Sequence, residues 1–422
     1  MPMPTAIAGG EAGRDTAPPP KSLLILIAFI VFIDMMGIGL VIPVMPDLIA
    51  ELTGRNVAGA AIIGGWLLSS YAIMQFLFSP IIGGLSDRFG RRPVLLITLA
   101  LLGVDYAIMA WAPDLIWLFL ARIISGIMGA SWAAVNSCIA DITAPENRGR
   151  YFGMLGGAGA MGFVLGPALG GLLGEINIRL PFIMACVMAL GGASIGFFML
   201  KETLPEAKRR TFTLSRANPL GSLFQMAKTP LVLGFLGVIF LLQMGAQSQI
   251  AVWSYYTIEK FDWSLSDIGW SVALFGVLLA AVQGVLTGVL IKYMGDRKTA
   301  LLSLLFGVPA YLTFAFAGAS WVMILGIFIG AATGFAFPAM QQMMSSRINE
   351  DAQGELQGAI ASIVSLTSIF GPVVMTSVFK AFADGEGVYF PGAPFILAAI
   401  LSGSGFMLYA VTVRRFYPID KS

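Results

Sequence analysis

The sequence predicts an all-α polytopic membrane protein, with twelve transmembrane helices in two six-helix pseudo-symmetric halves. Three observations carry that prediction. Of 422 residues, 57% are hydrophobic and only 11% charged, with mean hydropathy +0.85, whereas a water-soluble domain carries about 25% charged residues. At roughly 20 apolar residues per crossing, this length holds about a dozen spans joined by short loops. Motifs of the first half also recur in the second at one constant offset. Disorder, a disulfide scaffold and a collagen-like chain are excluded.

Taken in order, residues 1–20 hold Pro18, Pro19 and Pro20 with several Gly and Ala, which predicts a disordered tail. The apolar run after Lys21 is too long for a signal-peptide core and has no typical cleavage site within it, so it is expected as the first span. Apolar windows fall at 22–44, 60–82, 93–112, 115–138, 151–174, 181–200, 230–253, 268–291, 299–317, 321–345, 356–379 and 394–413. The longest polar interval, 201–229, separates six spans from six. The expected organisation is a cytoplasmic tail over 1–20, a first half over 21–200, a cytoplasmic linker over 201–229, a second half over 230–415 and a tail over 416–422.

An even number of spans puts both ends on one side, and the Lys/Arg distribution says which. Placing the tails and even-numbered loops in the cytoplasm collects twenty of the 25 basic residues there. Only Arg55, Arg179, Lys260 and Lys380 fall in the opposite loops, and Arg122 falls inside a span. Net charge is +2, so no bulk basic field argues for nucleic acid. The chain has no His, which removes the commonest proton shuttle and metal ligand. Cys138 and Cys186 lie in apolar runs without metal-ligand spacing and are expected as small core residues.

A shift of 205 residues superposes Gly83 and Gly90 on Gly288 and Gly295, Glu146, Gly149 and Gly153 on Asp351, Gly354 and Gly358, and Gly166-Pro167 on Gly371-Pro372. With eight further residues inserted, Pro181-Phe182-Ile183 falls on Pro394-Phe395-Ile396. One offset over several sites predicts two homologous halves. Transporters built this way place substrate near the midplane between them.

Each ionisable group inside a span requires a reason, since burying one at mid-bilayer costs about 2.5–3.5 kcal/mol on insertion scales. Asp34 and Asp105 lie about 18 Å from the cytoplasmic ends of their helices, and Arg122 reaches a similar level from the other direction. A structural ion pair between Asp105 and Arg122 is one reading. The other is that Asp34 or Asp105 gains and loses a proton as the cavity changes sides. Gln75, Asn136, Gln243, Gln247, Gln283 and Gln341 are candidates to line a substrate cavity, with helix-to-helix hydrogen bonds the competing reading.

The stretch Gly83-Gly84-Leu85-Ser86-Asp87-Arg88-Phe89-Gly90-Arg91-Arg92-Pro93 resembles the signature cytoplasmic loop of the major facilitator superfamily. The run Asp34-Met35-Met36-Gly37-Ile38-Gly39 through Pro46 is similar to the first helix of its bacterial tetracycline/proton antiporters. Tyr71 to Gln75, Asp105-Tyr106, Arg122-x-x-Ser125-Gly126, Ile139-Ala140-Asp141, Pro338 to Gln341 and Gly354 to Gly358 extend the match. The Gly-rich run from Gly156 to Gly171, with Gly166-Pro167, resembles the motif of antiporters rather than symporters.

This resemblance implies proton-coupled export of a small amphipathic drug-like compound, such as tetracycline, by alternating access. Asp34, Asp105 and Arg122 would serve proton coupling. Asp87, Arg91, Asp141, Gly166 and Pro167 would serve gating. The implied setting is the bacterial inner membrane, with lipid, protons and a small molecule as partners, no nucleic acid, and a monomer expected. No catalytic residue, resident cofactor or protein-held metal is implied, and magnesium would enter only within a chelated substrate. One departure is that those exporters place a His in the eighth helix, where this chain has Leu279. The alternatives are a proton-coupled importer of a small nutrient, and a non-transporting membrane receptor or enzyme. The missing His and the absence of a nucleotide or metal motif argue against an enzyme.

Overall fold

The computed structural model describes residues 21–129, 131–144, 147–209, 221–349, 352–385 and 387–416. The expected tail at 1–20, all of the expected tail at 416–422 except Phe416, which ends the last helix, and the middle of the linker lie outside the described residues. The helices are α1 (Lys21–Val41), α2 (Met45–Thr53), α3 (Val57–Phe89), α4 (Arg91–Ala110), α5 (Leu115–Met128), α6 (Ser131–Ile142), α7 (Arg148–Ile176) and α8 (Leu180–Met199) in the first part of the chain. There follow α9 (Gly221–Met226), α10 (Pro230–Phe261), α11 (Leu265–Ala281), α12 (Thr287–Phe316), α13 (Ser320–Ala331), α14 (Ala336–Ser345), α15 (Gln353–Ala383) and α16 (Ala393–Phe416).

Ten described helical segments are long and apolar enough to cross a membrane. One of them, Leu265–Phe316, holds two crossings, because Gly295 breaks it with φ 80° and ψ 162°. Leu115–Met128, continued by α6, supplies the remaining crossing, so twelve result. Gly90, 205 residues before Gly295, turns the chain between α3 and α4 with nearly the same backbone, φ 105° and ψ 159°. Both positions lie in the region that favours glycine. The repeat read from sequence is therefore repeated in backbone conformation.

Two expectations shift. The signature stretch is not a loop: α3 runs to Phe89 and α4 starts at Arg91, leaving Gly90 alone between them. A one-residue turn suffices because Gly90 takes positive φ and Glu202 binds the first backbone N–H groups of α4. The short amphipathic α2, opened by Pro46 near its start and closed by Gly54 at φ 63°, was not expected.

The packing has the same plan in each half. In the first, α1 packs on α7 and α8, α3 on α5, and α4 on α8; in the second, α10 packs on α15 and α16, and α12 on α16. Between halves, α7 meets α11 and α3 meets α15. Close approach drives helix association in lipid, where apolar burial gives no advantage. Gly162, Gly166 and Gly170 supply it, since a Cβ at each would strike the carbonyl oxygen of Phe32, Met36 and Leu40 respectively.

We call the side bearing both described ends the basic face. The inter-half hydrogen bonds and glycine crossings recorded lie toward the opposite face: Ser69 donates to the Ile369 carbonyl at 2.6 Å, Gly269 abuts the Pro167 carbonyl, and Gly276 abuts Val164. Toward the basic face, Gly149, Gly153, Gly156 and Gly157 of α7, and Gly284, Gly288 and Gly354, have no neighbouring atom of a described residue within 4 Å of where a Cβ would stand. The halves are closed on the opposite face and splayed on the basic one.

Candidate functional site

Three clusters hold most of the candidate residues. The first is charged and lies between α1, α3, α4 and α5. Arg122 Nη2 approaches Asp105 Oδ2 at 3.4 Å and Met109 Sδ at 2.9 Å. The Asp105 side chain is 0% exposed, and its Oδ1 and the Arg122 Nε have no hydrogen-bond partner among the described residues. Asp34 is buried as well, but no described residue bonds its carboxyl. It lines a cavity of about 10 Å³ with Thr98, Leu95, Leu99, Leu102, Met128 and Val135 among the walls. Tyr71 and Tyr106 stand within electrostatic reach of Asp34, Asp105 and Arg122. Sequence periodicity gave no reason to single out these tyrosines. Their signal was adjacency to Gln75 and Asp105 in the matched motifs.

The second cluster ties helix ends together at the basic face. Arg91 donates to Asp87 at 2.5 Å through Nη1 and to Asp141 at 3.1 Å through Nε, and Nη1 also reaches Ser86 Oγ at 3.2 Å. One buried guanidinium thus joins the ends of α3 and α6 to the start of α4. Asp87 remains 42% exposed. In the second half the position matching Asp87 is Lys292, which is exposed. Glu202, which sequence reasoning passed over as linker, accepts from the backbone N–H of Arg91 at 2.8 Å and of Arg92 at 3.3 Å. A helix start whose N-cap is Gly90, with no capping side chain, was the available signal.

The third is a cavity of about 270 Å³ inside the second half, walled by α10, α11, α12, α13–α14 and α16. Gln243 and Gln247, four residues apart on one face of α10, line it with Gln249, Gln283 and Tyr311. None of these four glutamine amides is hydrogen-bonded by a described residue. Phe275, Leu279, Phe337 and Met340 supply apolar walls. Two helix irregularities shape the cavity. Gln283 sits in a π-helical turn, Val282–Leu286, and Thr333 and Gly334 sit in a 3-10 turn, Ala332–Phe335. Ser303 Oγ donates to the carbonyls of Ala332 at 3.0 Å and Thr333 at 2.8 Å, satisfying backbone that the tightened turn presents. Helical periodicity carries no sign of either irregularity.

The other polar candidates fall elsewhere. Gln75 Nε2 donates to Tyr71 Oη at 3.3 Å and to the Gly129 carbonyl at 3.1 Å, tying α3 to the end of α5. Gln341 Nε2 donates to Gln357 Oε1 at 2.8 Å, tying α14 to α15. Asn136 is exposed on α6 and does not line the 270 Å³ cavity. Cys138 and Cys186 are buried and unpaired. Among the described residues no group of three or more His, Cys, Asp and Glu gathers.

Gly166-Pro167 and Gly371-Pro372 mark where the halves cross. The Pro167 carbonyl in α7 lies against Gly269 of α11, and the Pro372 carbonyl in α15 lies 3.0 Å from the Cβ position of Gly65 in α3. Each half therefore presents its Gly-Pro carbonyl to a glycine in the other half's second span. Proline also removes one backbone hydrogen bond from each helix at the crossing.

Comparison with known proteins agrees with this plan. The family model described as Major Facilitator Superfamily matches residues 27–254 and 235–421. "Tetracycline resistance protein, class C" of Escherichia coli is 39% identical over 364 residues, covering 86% of this chain and 91% of that protein. "Tetracycline resistance protein, class G" of Vibrio anguillarum is 37% identical, covering 90% and 95%. A crystal structure of a bacterial homologue of the human lysosomal transporter Spinster superposes with TM-score 0.77 over 94% of this chain and 97% of that one, at 16% identity, which speaks for the fold alone. The likeness spans both halves, so the chain belongs to the major facilitator superfamily, and it is a multi-pass membrane transporter of the drug/proton antiporter kind and not an enzyme.

Proposed function

We propose that the chain exports a tetracycline-like compound across the bacterial inner membrane in exchange for protons, and that Asp34 is the group that carries the proton. The observation that carries this reading is the contrast between two intramembrane carboxylates. Asp105 has its charge balanced by Arg122, whereas Asp34 has no partner among the described residues and borders a cavity of about 10 Å³. A carboxyl without a fixed counter-charge is the one whose protonation responds when the cavity changes sides. Asp105 and Arg122 then set the field in which Asp34 titrates.

The drug is held by the amides of Gln243, Gln247 and Gln283 against apolar walls, a surface suited to a planar ring system edged with carbonyl and hydroxyl groups. Magnesium enters this reading only as part of a chelated drug, and the protein keeps no cofactor of its own. Gating belongs to Asp87, Arg91 and Asp141 at the basic face and to the Gly166-Pro167 crossing. The basic face is cytoplasmic by the positive-inside distribution, which makes the observed state open to the cytoplasm, ready to load. Export rather than nutrient import is the direction favoured by the resistance proteins among its relatives.

The test is tetracycline uptake into inverted membrane vesicles with an imposed pH gradient. Accumulation that collapses with a proton ionophore is expected. Uptake that ignores the gradient contradicts the proposal.

A further inference from the structure

Besides the Ser69–Ile369 and Ser254–Ile42 hydrogen bonds, the face where the halves are closed carries, among the described residues, two carboxylate contacts between them, and these are related by the internal repeat. Glu175, in the last turn of α7, accepts a hydrogen bond through Oε1 from the backbone N–H of Ser266 at 3.1 Å, in the first turn of α11. Asp384, which caps the end of α15, accepts through Oδ1 from Asn56 Nδ2 at 3.1 Å. Asn56 is the N-cap of α3, and Ser264 is the N-cap of α11.

The two acids are 209 positions apart, between the offsets of 205 and 213 that flank the inserted residues, and the two N-caps are 208 apart, within three positions of the 205 offset that follows them. One arrangement is thus present twice. An acid at the outer end of each half's fifth span grips the start of the other half's second span. The start of α11 offers Glu175 an unpaired backbone N–H, and the start of α3 offers Asp384 the side-chain amide of its N-cap, Asn56; the partial positive charge of each helix start suits a carboxylate.

We propose that Glu175 and Asp384 are a pair of gating residues that latch the opposite face shut while the basic face is open. The inference rests on the alternating-access reading. In the reverse state the ends of α7 and α11, and of α15 and α3, must part, so both bonds break. Glu175 is exposed, so water replaces its partner at small cost, which makes the latch reversible. The Gly-Pro crossings nearer the midplane are packed backbone against backbone and act as pivots. The acids sit at the lever's end.

The experiment reads the latch without drug or proton flux, so its failure is separable from failure of the transport reading, which shows instead as wild-type vesicles that take up no drug. Spin labels go at Pro113→Cys and Gly318→Cys, exposed loop positions one per half and 205 apart, with Cys138 and Cys186 replaced by Ala. Pulsed electron-spin distances are measured in the full chain in detergent or nanodiscs. Glu175→Ala with Asp384→Ala is expected to raise the long-distance population about threefold or more over the unsubstituted labelled protein. Glu51→Ala serves as control: Glu51 pairs with Arg179 on the same face at 2.7 Å, wholly within the first half, and its loss is expected to leave the distribution in place. An unchanged distribution in the double variant overturns the proposal. So does an equal shift in Glu51→Ala.

Discussion

At the scale of single residues, the two intramembrane acids make opposite demands. Arg122→Ala leaves Asp105 buried at 0% exposure with no compensating charge, and loss of one member of such a pair costs about 3–5 kcal/mol. Asp34→Asn removes a carboxyl that bonds to no described residue, so its expected cost is below about 1 kcal/mol. Thermal unfolding of the purified variants in detergent checks both. A large loss for Asp34→Asn would mean that the carboxyl is structural. Asp87→Asn removes one partner of a half-exposed pair, worth about 1 kcal/mol or less to stability, yet it is expected to slow transport severalfold in vesicle uptake. A variant with the normal rate would reduce Asp87 to a topology signal. All of these charges were legible in the sequence because a charge in an apolar run stands out. The Asp105–Arg122 pair was named from sequence as one of two readings, and the structure forms it; that Asp34 stands apart from Arg122 was not legible, since groups at one level along their helices say nothing of azimuth.

At the scale of elements, the glycines of α7 and α11 decide how closely spans pass. Gly162→Val places a branched side chain against the Phe32 carbonyl, and overpacking of this kind costs about 1–3 kcal/mol, so a lowered midpoint in detergent unfolding is expected. Gly269→Val strains the inter-half crossing at Pro167. It is expected to lower transport more than stability, because the unpacked basic ends of the halves let the strain relax by rocking. Gly157→Ala, where nothing stands within 4 Å of the added Cβ, is the neutral comparison. If all three glycine variants behave alike in uptake and unfolding, the small residues set no specific contacts. The twelve spans were readable from hydropathy alone, with most ends within a few residues, though α3 and α10 run seven and eight residues past their apolar windows. The π turn at Val282–Leu286, the 3-10 turn at Ala332–Phe335 and α2 were not, because each departs from the period that identifies a span. Two of these irregularities build the cavity. Sequence therefore located Gln243, Gln247 and Gln283 as candidates but could not separate them from Gln75 and Gln341, which bond neighbouring helices.

At the scale of the whole molecule, the constant offset of 205 predicted matching halves, and Gly90 and Gly295 repeat it in backbone angles. The halves are nonetheless chemically unequal. The first holds the charged cluster of Asp34, Asp105 and Arg122, and the second holds the uncharged amide-lined cavity. On the proposed reading, that division separates proton binding from drug binding and leaves the movement of the halves to couple them. It follows that Gln247→Leu should raise the KM for drug without moving the pH profile of uptake, whereas substitution at Asp34 should do the reverse. The central claim is that Asp34 carries the proton, and proton movement on addition of tetracycline to inverted vesicles tests it most directly. The wild type should release protons from the vesicle lumen as drug enters. Asp34→Asn should exchange labelled for unlabelled drug across the membrane with no proton movement. Drug-driven proton flux at the wild-type rate in Asp34→Asn would contradict the account.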